Sequence, residues 1–313
     1  MKTLFLGAGA IGGYIGGRLH QSGADVTFLV RPARREALQR DGLVIKSTKG
    51  DITQQVKTVL DGADGGPYDL VVLTCKAYDL DSAIGAVAPA VKPEVTVVPL
   101  LNGMRHLDVL DARFGAANVT GGLVRVGAAL SPKGEVLHTS PFAAISFGER
   151  DGKPARPVLS EFGAAVKKAG LDGGLHANIV QDLWDKWIML CSLAAMCCLM
   201  RGASGDIVEA EEGAAIMHET VEECRKVAAA AGCDPGEKSM ANTRSFLTQK
   251  GSRFAASMLH DLENGSMVEA DHVVGDMIAR AKKAGIATPN LRLAYAHLQV
   301  YLARRARSGK PAT

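Results

Sequence analysis

No two of the six cysteines in this 313-residue chain are spaced as C-x-x-C, so neither a zinc ribbon nor a dithiol redox centre is encoded. Cys75, Cys191, Cys197, Cys198, Cys224 and Cys233 read instead as small core residues of a protein in a reducing, cytoplasmic compartment. The eight histidines include no H-E-x-x-H, and no metal site is expected. Charge of one sign is also missing. Thirty-six Lys and Arg against 33 Asp and Glu leave +3, too little to imply nucleic acid or a membrane surface as partner. No apolar run reaches the eighteen residues of a membrane span. The most apolar stretch, Trp187 to Met200, stops at Arg201-Gly202 and reads as a buried helix. Internal repeats and low-complexity segments are absent.

What is present begins at the N-terminus, where Lys2 to Leu6 is followed by Gly7-Ala8-Gly9-Ala10-Ile11-Gly12-Gly13. G-x-G-x-x-G is informative when a strand precedes it and a helix follows, which is the context here. Gly7 permits a tight turn, Gly9 admits a pyrophosphate to the backbone, and Gly12 allows close helix packing, while the helix N-terminus offers N–H groups to phosphate. A signal peptide is disfavoured because the glycines interrupt any apolar core and a second strand, Asp25 to Val30, completes a βαβ unit. At that strand's tip an NAD enzyme usually carries Asp or Glu. This chain has Arg31-Pro-Ala-Arg34-Arg35, so Arg31, supported by Arg34 or Arg35, is expected to take the 2′-phosphate of NADP(H).

Apolar runs at Leu4 to Leu6, Val26 to Val30, Leu70 to Thr74, Val95 to Leu101, Leu123 to Leu130 and Ala143 to Gly148 alternate with helical stretches. They predict an α/β fold, a Rossmann-type doubly wound, mostly parallel sheet with later antiparallel additions. Beyond Asn178 long periodic segments take over: Ile179 to Met200, Asp206 to Ala231, Ser239 to Asp261, Ala270 to Ala284 and Leu291 to Ala306. The predicted domains are 1–174, dinucleotide-binding, and 175–313, all-helical. The basic tail from Arg304 to Lys310 reads as a frayed helix end.

Ligands of doubly wound sheets lie beyond the carboxyl ends of the strands. Two strand tips there carry polar groups: Lys76, after Leu70 to Thr74, and Asn102-Gly103, after Val95 to Leu101. Each is also an ordinary helix cap or turn. Lys186, between Trp184 and Trp187, reads from periodicity as a lysine snorkelling at the edge of a core, or as one held in a cleft.

Taken together these residues resemble the ketopantoate reductase (2-dehydropantoate 2-reductase) family over nearly the whole chain. The resemblance rests on Gly7 to Gly13, Lys76-Ala77, Asn102-Gly103, Leu183-Trp184-x-Lys186, and Ser257-Met-Leu-His-Asp261 followed by Val268-Glu269-Ala-Asp271. It implies an NADP-binding Rossmann domain and a helical C-terminal domain like that of 6-phosphogluconate dehydrogenase, with the active site in the cleft between them. It further implies that Lys186 is the general acid, that Glu269 orients the reacting oxygen and helps keep Lys186 protonated, and that Ser257 binds substrate. Asn102 and Lys76 would line the nicotinamide and substrate end, and Gly7, Ala8, Gly9, Ala10, Ile11, Gly12 and Arg31 would hold the cofactor.

The chain departs from the family where asparagines four and eight residues after the lysine bind ketopantoate: Leu190 and Ala194 stand there, and Leu101 replaces the glutamine before Asn-Gly. The expected activity is NADPH-dependent reduction of a 2-oxo acid, with ketopantoate to pantoate the best single reaction. The rivals are a reductase for a larger or less polar carbonyl and a non-catalytic NADP-binding sensor. A short-chain dehydrogenase is disfavoured, because no Tyr-x-x-x-Lys occurs. The expected partners are a small-molecule carbonyl substrate and, through the apolar helices, a second copy of the chain.

Overall fold

A computed structural model of the chain describes residues 1–62 and 64–309, so Lys310 of the basic tail lies outside the described residues. The chain divides into two compact units. The first holds Met1–Leu101 and His106–Ile179; the second takes Asn102–Arg105 and the chain from Val180 onward. The boundary expected after residue 174 falls inside a strand of the first unit, and the crossing comes five residues later.

In the first unit, β1 (Lys2–Leu6), β2 (Asp25–Leu29), β5 (Lys57–Val59), β6 (Leu70–Leu73) and β7 (Thr96–Pro99) form one sheet, in the order β5-β2-β1-β6-β7. Every pairing in it is parallel. β6 is apolar along its whole length and β1 from Leu4 to Leu6, because both faces of the sheet are buried there. Sequence order reverses between β1 and β6, so the crevice for a ligand opens at their carboxyl ends. Helices α1 (Ala10–Gln21), α2 (Pro32–Asp41), α3 (Leu80–Val87), α4 (Arg105–Phe114) and α5 (Pro157–Lys168) alternate with the strands.

The later strands do not extend this sheet as expected. β3 (Leu43–Ser47), β4 (Ile52–Gln54), β9 (Val136–Gly148) and β10 (Asp172–Leu175) form a second sheet, with β8 (Gly121–Leu130) antiparallel to β9. The reason lies in α1, which is sandwiched between the two sheets. A Cβ at Gly16 would fall 2.7 Å from the Phe28 ring of the first sheet. A Cβ at Gly13 would fall 2.8 Å from Val136 of the second, and one at Gly17 2.7 Å from Ile45. Residues four apart share a helix face, so the two adjacent glycine pairs give α1 two flat sides, one per sheet. Phe5, Phe28, Tyr14, Ile15, Leu43, Ile45 and Phe147 fill the core around it. Burying each such side chain contributes roughly 1.5 to 3 kcal/mol.

The second unit is helical: α6 (Ile179–Met200), α7 (Ser204–Glu209), α8 (Gly213–Ala230), α9 (Gly236–Leu247), α10 (Ser257–Glu263), a π-helical turn (Asp271–Gly275), α11 (Asp276–Lys283) and α12 (Pro289–Arg307). The sequence periodicity merged α7 with α8 and α9 with α10. The first break falls at Glu212, whose φ of 65° ends α-helical geometry, and there a side chain at Gly213 would strike the Ile207 carbonyl. The 22-residue α6 has the bounds that its periodicity predicts, and by length and hydropathy it could cross a bilayer. In this unit its residues from Cys191 to Cys198 are all buried, as expected of a core helix.

Candidate active site

At the carboxyl end of β1, Gly7 turns the chain with φ at 93°, in the left-handed region that favours glycine. Gly9 precedes α1 as its N-cap, and a Cβ built there meets nothing within 4 Å. The backbone at Gly9 therefore faces open space that a side chain would fill. No side chain caps α1 and no acidic residue sits in its first turn, so its N-terminal N–H groups and positive dipole end are presented unopposed. This cradle fits a dinucleotide pyrophosphate. Ala8 is buried, whereas Ala10 and Ile11 are half-buried at its rim. A side chain at Gly12 would collide with the Gly7 carbonyl and with Thr74 Oγ1. Thr74 follows β6 and donates to the Leu6 carbonyl at 2.7 Å, fastening the two strand tips together. The sequence reading treated Thr74 only as a strand residue.

Of the three arginines offered to the 2′-phosphate, Arg35 is half-buried, and Arg31 and Arg34 part company. Arg31 is exposed and donates from Nη2 to Asp79 Oδ1 at 3.3 Å. Arg34 turns inward. Its Nε and Nη2 donate to the Ala8 carbonyl at 3.1 and 2.8 Å, and its Nη1 to the Gly134 carbonyl at 2.8 Å. Burial pushes its basicity down. Arg34 thus braces the glycine loop, and its expected support of Arg31 is not what the structure shows, because its donors are committed to two backbone carbonyls. Lys76 is half-buried beyond β6 and precedes the 3-10 turn Ala77–Asp79 as its N-cap.

In the second unit three polar side chains come together. Lys186 Nζ donates to Asn102 Oδ1 at 3.1 Å, and Asn102 Nδ2 donates to Glu269 Oε2 at 3.4 Å. The carboxamide thereby links the lysine to the glutamate, with its oxygen toward the donor and its nitrogen toward the acceptor. Glu269 is 7% exposed, while Lys186 and Asn102 are half-buried. Next in the chain after Ala270 and Asp271, His272 is buried, and that burial holds its imidazole below the ordinary value and favours the neutral ring.

Ser257 opens α10 and is exposed. The Ala256 backbone before it hydrogen-bonds the Cys197 thiol of α6, whose acidity burial nevertheless weakens, to a pKa of about 11. Leu190, one turn past Lys186, is half-buried. Ala194, two turns past, is 1% exposed and belongs to the core rather than to an accessible wall. Among the described residues no cluster of three or more His, Cys, Asp or Glu side chains could hold a metal ion.

The chain matches the family "Ketopantoate reductase PanE/ApbA" over residues 3–152 and "Ketopantoate reductase PanE/ApbA C terminal" over residues 178–302. It is 36% identical over 307 residues to the uncharacterized oxidoreductase YkpB of Bacillus subtilis (strain 168), covering 97% of this chain and 100% of that one. The solved PanE/ApbA family ketopantoate reductase of Ralstonia eutropha JMP134 superimposes with a TM-score of 0.87 at 26% identity, covering 98% and 100% of the two chains. A D-mandelate dehydrogenase, solved with NADH and anilino(oxo)acetate, shares the fold with a TM-score of 0.86 at 22% identity, covering 98% of this chain and 100% of that one. Two matched segments spanning both units, on a scaffold with an open dinucleotide cradle, make the chain a member of the ketopantoate reductase family of NAD(P)-dependent oxidoreductases.

Proposed function

We propose that this protein reduces a 2-oxo acid to the 2-hydroxy acid with NADPH, and that 2-dehydropantoate to pantoate, a step of pantothenate synthesis in the cytoplasm, is the reaction to test first. The Lys186–Asn102–Glu269 link carries the reading, because it joins a proton donor to a buried carboxylate through a neutral amide. Gly7, Ala8, Gly9, Ala10, Ile11 and Gly12 would hold the pyrophosphate and Arg31 the 2′-phosphate, with Lys76 and Asn102 toward the nicotinamide. NADPH held by these residues would supply the hydride that the carbonyl carbon takes up. Lys186, as an ammonium, donates a hydrogen bond to the carbonyl oxygen, stabilises the charge growing there, and gives up its proton to complete the hydroxyl. The neutral amine then takes a proton from water. Asn102 and Glu269 fix the direction of Nζ, and Ser257 binds the substrate.

A second reading, reduction of a larger and less polar 2-oxo acid, is favoured by Leu190. That side chain puts an apolar surface one helical turn from Lys186, and hydrocarbon there suits an apolar substituent.

The test is kcat/KM for ketopantoate and for phenylglyoxylate at saturating NADPH. A value above about 10⁴ M⁻¹s⁻¹ identifies the substrate. Lys186→Ala should keep NADPH affinity and lose roughly 10² to 10⁴ in turnover. Near-normal turnover in that variant would remove Lys186 from the chemistry, whereas a wild-type protein that binds NADPH and turns over neither acid would leave the sensor reading standing.

A further inference from the structure

The turn Asp271–Gly275 is π-helical, closed by the Asp276 N–H on the Asp271 carbonyl, five residues apart. Such a turn inserts one residue into an otherwise α-helical stretch and shifts the register of its carbonyls. Two of its peptide units receive groups from outside. The Trp187 indole Nε1 donates to the Val273 carbonyl at 2.9 Å. Gly103, with φ at 74°, lies so close that a Cβ there would fall 2.9 Å from the His272 carbonyl oxygen. The same segment is tied backward as well, the Val273 N–H donating to the Glu269 carbonyl at 2.9 Å.

These contacts share a pattern. Trp187 is the residue after Lys186, Gly103 is the residue after Asn102, and Glu269 is itself held by the turn. Lys186 through Trp187, and Glu269 by its own carbonyl, are therefore hydrogen-bonded to this turn, and Asn102 is placed beside it through Gly103, whose backbone lies close against the His272 carbonyl. We propose that this π-helical turn is the common seat that sets Lys186, Asn102 and Glu269 in register, with Trp187 and Gly103 acting as positioning residues for the reaction. The inference rests on the reading that Lys186 donates the proton. An α-helical turn in its place would lack the inserted residue and would present different carbonyls to Trp187 and Gly103. The link has little tolerance: its first hydrogen bond, at 3.1 Å, is within the ordinary range and its second, at 3.4 Å, is already long, so a displacement of about 1 Å breaks both.

The test is a double-mutant cycle in the full-length protein. Trp187→Phe keeps the buried ring and removes the N–H. It should lower kcat for the better of ketopantoate and phenylglyoxylate by roughly 10- to 100-fold, with KM changed less than about threefold. NADPH affinity, read by fluorescence titration, should not change. In the Lys186→Ala background Trp187→Phe should cost almost nothing more, since the group it positions is gone. A merely structural tryptophan would cost the same factor in both backgrounds, and that result, or an unchanged kcat in the single variant, overturns the proposal. Should Trp187→Phe fail to fold, Gly103→Ala run through the same cycle decides, because its Cβ pushes on His272 directly. Wild-type turnover in Lys186→Ala alone would instead defeat the proton-donor reading, and the proposal with it.

Discussion

Asp79 stands at the N-cap position of α3 yet leaves the helix uncapped, and its carboxylate reaches Arg31 instead. An N-cap aspartate ordinarily accepts from its own helix, so its engagement elsewhere puts a negative charge against the arginine offered to a 2′-phosphate. Asp79→Asn should tighten NADPH binding by roughly three- to tenfold at low salt and leave NADH nearly unchanged, the gain fading as salt screens it. Fluorescence titration of both cofactors measures this, and equal shifts for the two would show that Asp79 does not face the phosphate.

Arg34 makes a different demand on the same experiment. Lysine keeps the charge but cannot reproduce three directed bonds to two carbonyls. Arg34→Lys should therefore weaken NADPH and NADH alike, by roughly tenfold, and lower the melting temperature. A loss confined to NADPH would mean that Arg34 reads the 2′-phosphate after all.

Leu190 sets the third expectation. Leu190→Asn should raise kcat/KM for ketopantoate by roughly tenfold or more, one hydrogen bond to a polar substrate, and lower it for phenylglyoxylate. Rates that move together for both acids would remove Leu190 from substrate selection. Ala194 makes a poorer test, because at 1% exposure an asparagine there would have to be fitted into packed core.

Glu223 governs stability rather than catalysis. It is 6% exposed and accepts from the Asn290 and Leu291 N–H groups that open α12. Burial raises its carboxyl above the ordinary 4.5. With a raised value the folded state holds the proton longer than the unfolded chain, so its contribution falls as pH rises from about 4.5 through the raised value, then levels. Urea unfolding of wild type and Glu223→Gln across that range should show their difference shifting against wild type as pH rises; a constant difference would contradict it. Glu223→Ala, which leaves two buried donors unmet, should cost about 1 to 3 kcal/mol for each donor.

How far the sequence speaks depends on how local each feature is. The glycine loop and β1, β2, β6 and β7 were legible because a buried parallel strand is a continuous apolar run closed by a turn. β3, β4 and β5 were not, since three to five residues with exposed members acquire strand geometry only from partners elsewhere in the chain. Arg31 and Arg34 are three residues apart at the start of one helix, and nothing in their spacing says which guanidinium turns inward. The bond from Lys186 to Asn102 spans 84 positions. Position at a strand tip singles out Asn102, though it also reads as a turn, while Lys186 reads from periodicity as a snorkelling lysine or one held in a cleft and enters as a site residue through family resemblance; neither signal brings out the amide between lysine and glutamate. The π-helical turn has no residue-type signature and was read as ordinary helix.

The two flat sides of α1 bear on which substitutions this chain can absorb. Side chains at Gly12, Gly13, Gly16 and Gly17 would each meet a neighbour head-on, whereas one at Gly9 would meet none. Of the three signature glycines, then, Gly12 is dictated by assembly of the scaffold and Gly7 by the bend of the backbone, and the ligand's own demand is concentrated on Gly9. A chain of this architecture that abandoned its cofactor would be free to change Gly9 first and would still be bound to the others. A motif commonly read as one functional unit is here two requirements superposed, separable by mutation because they fail in different assays.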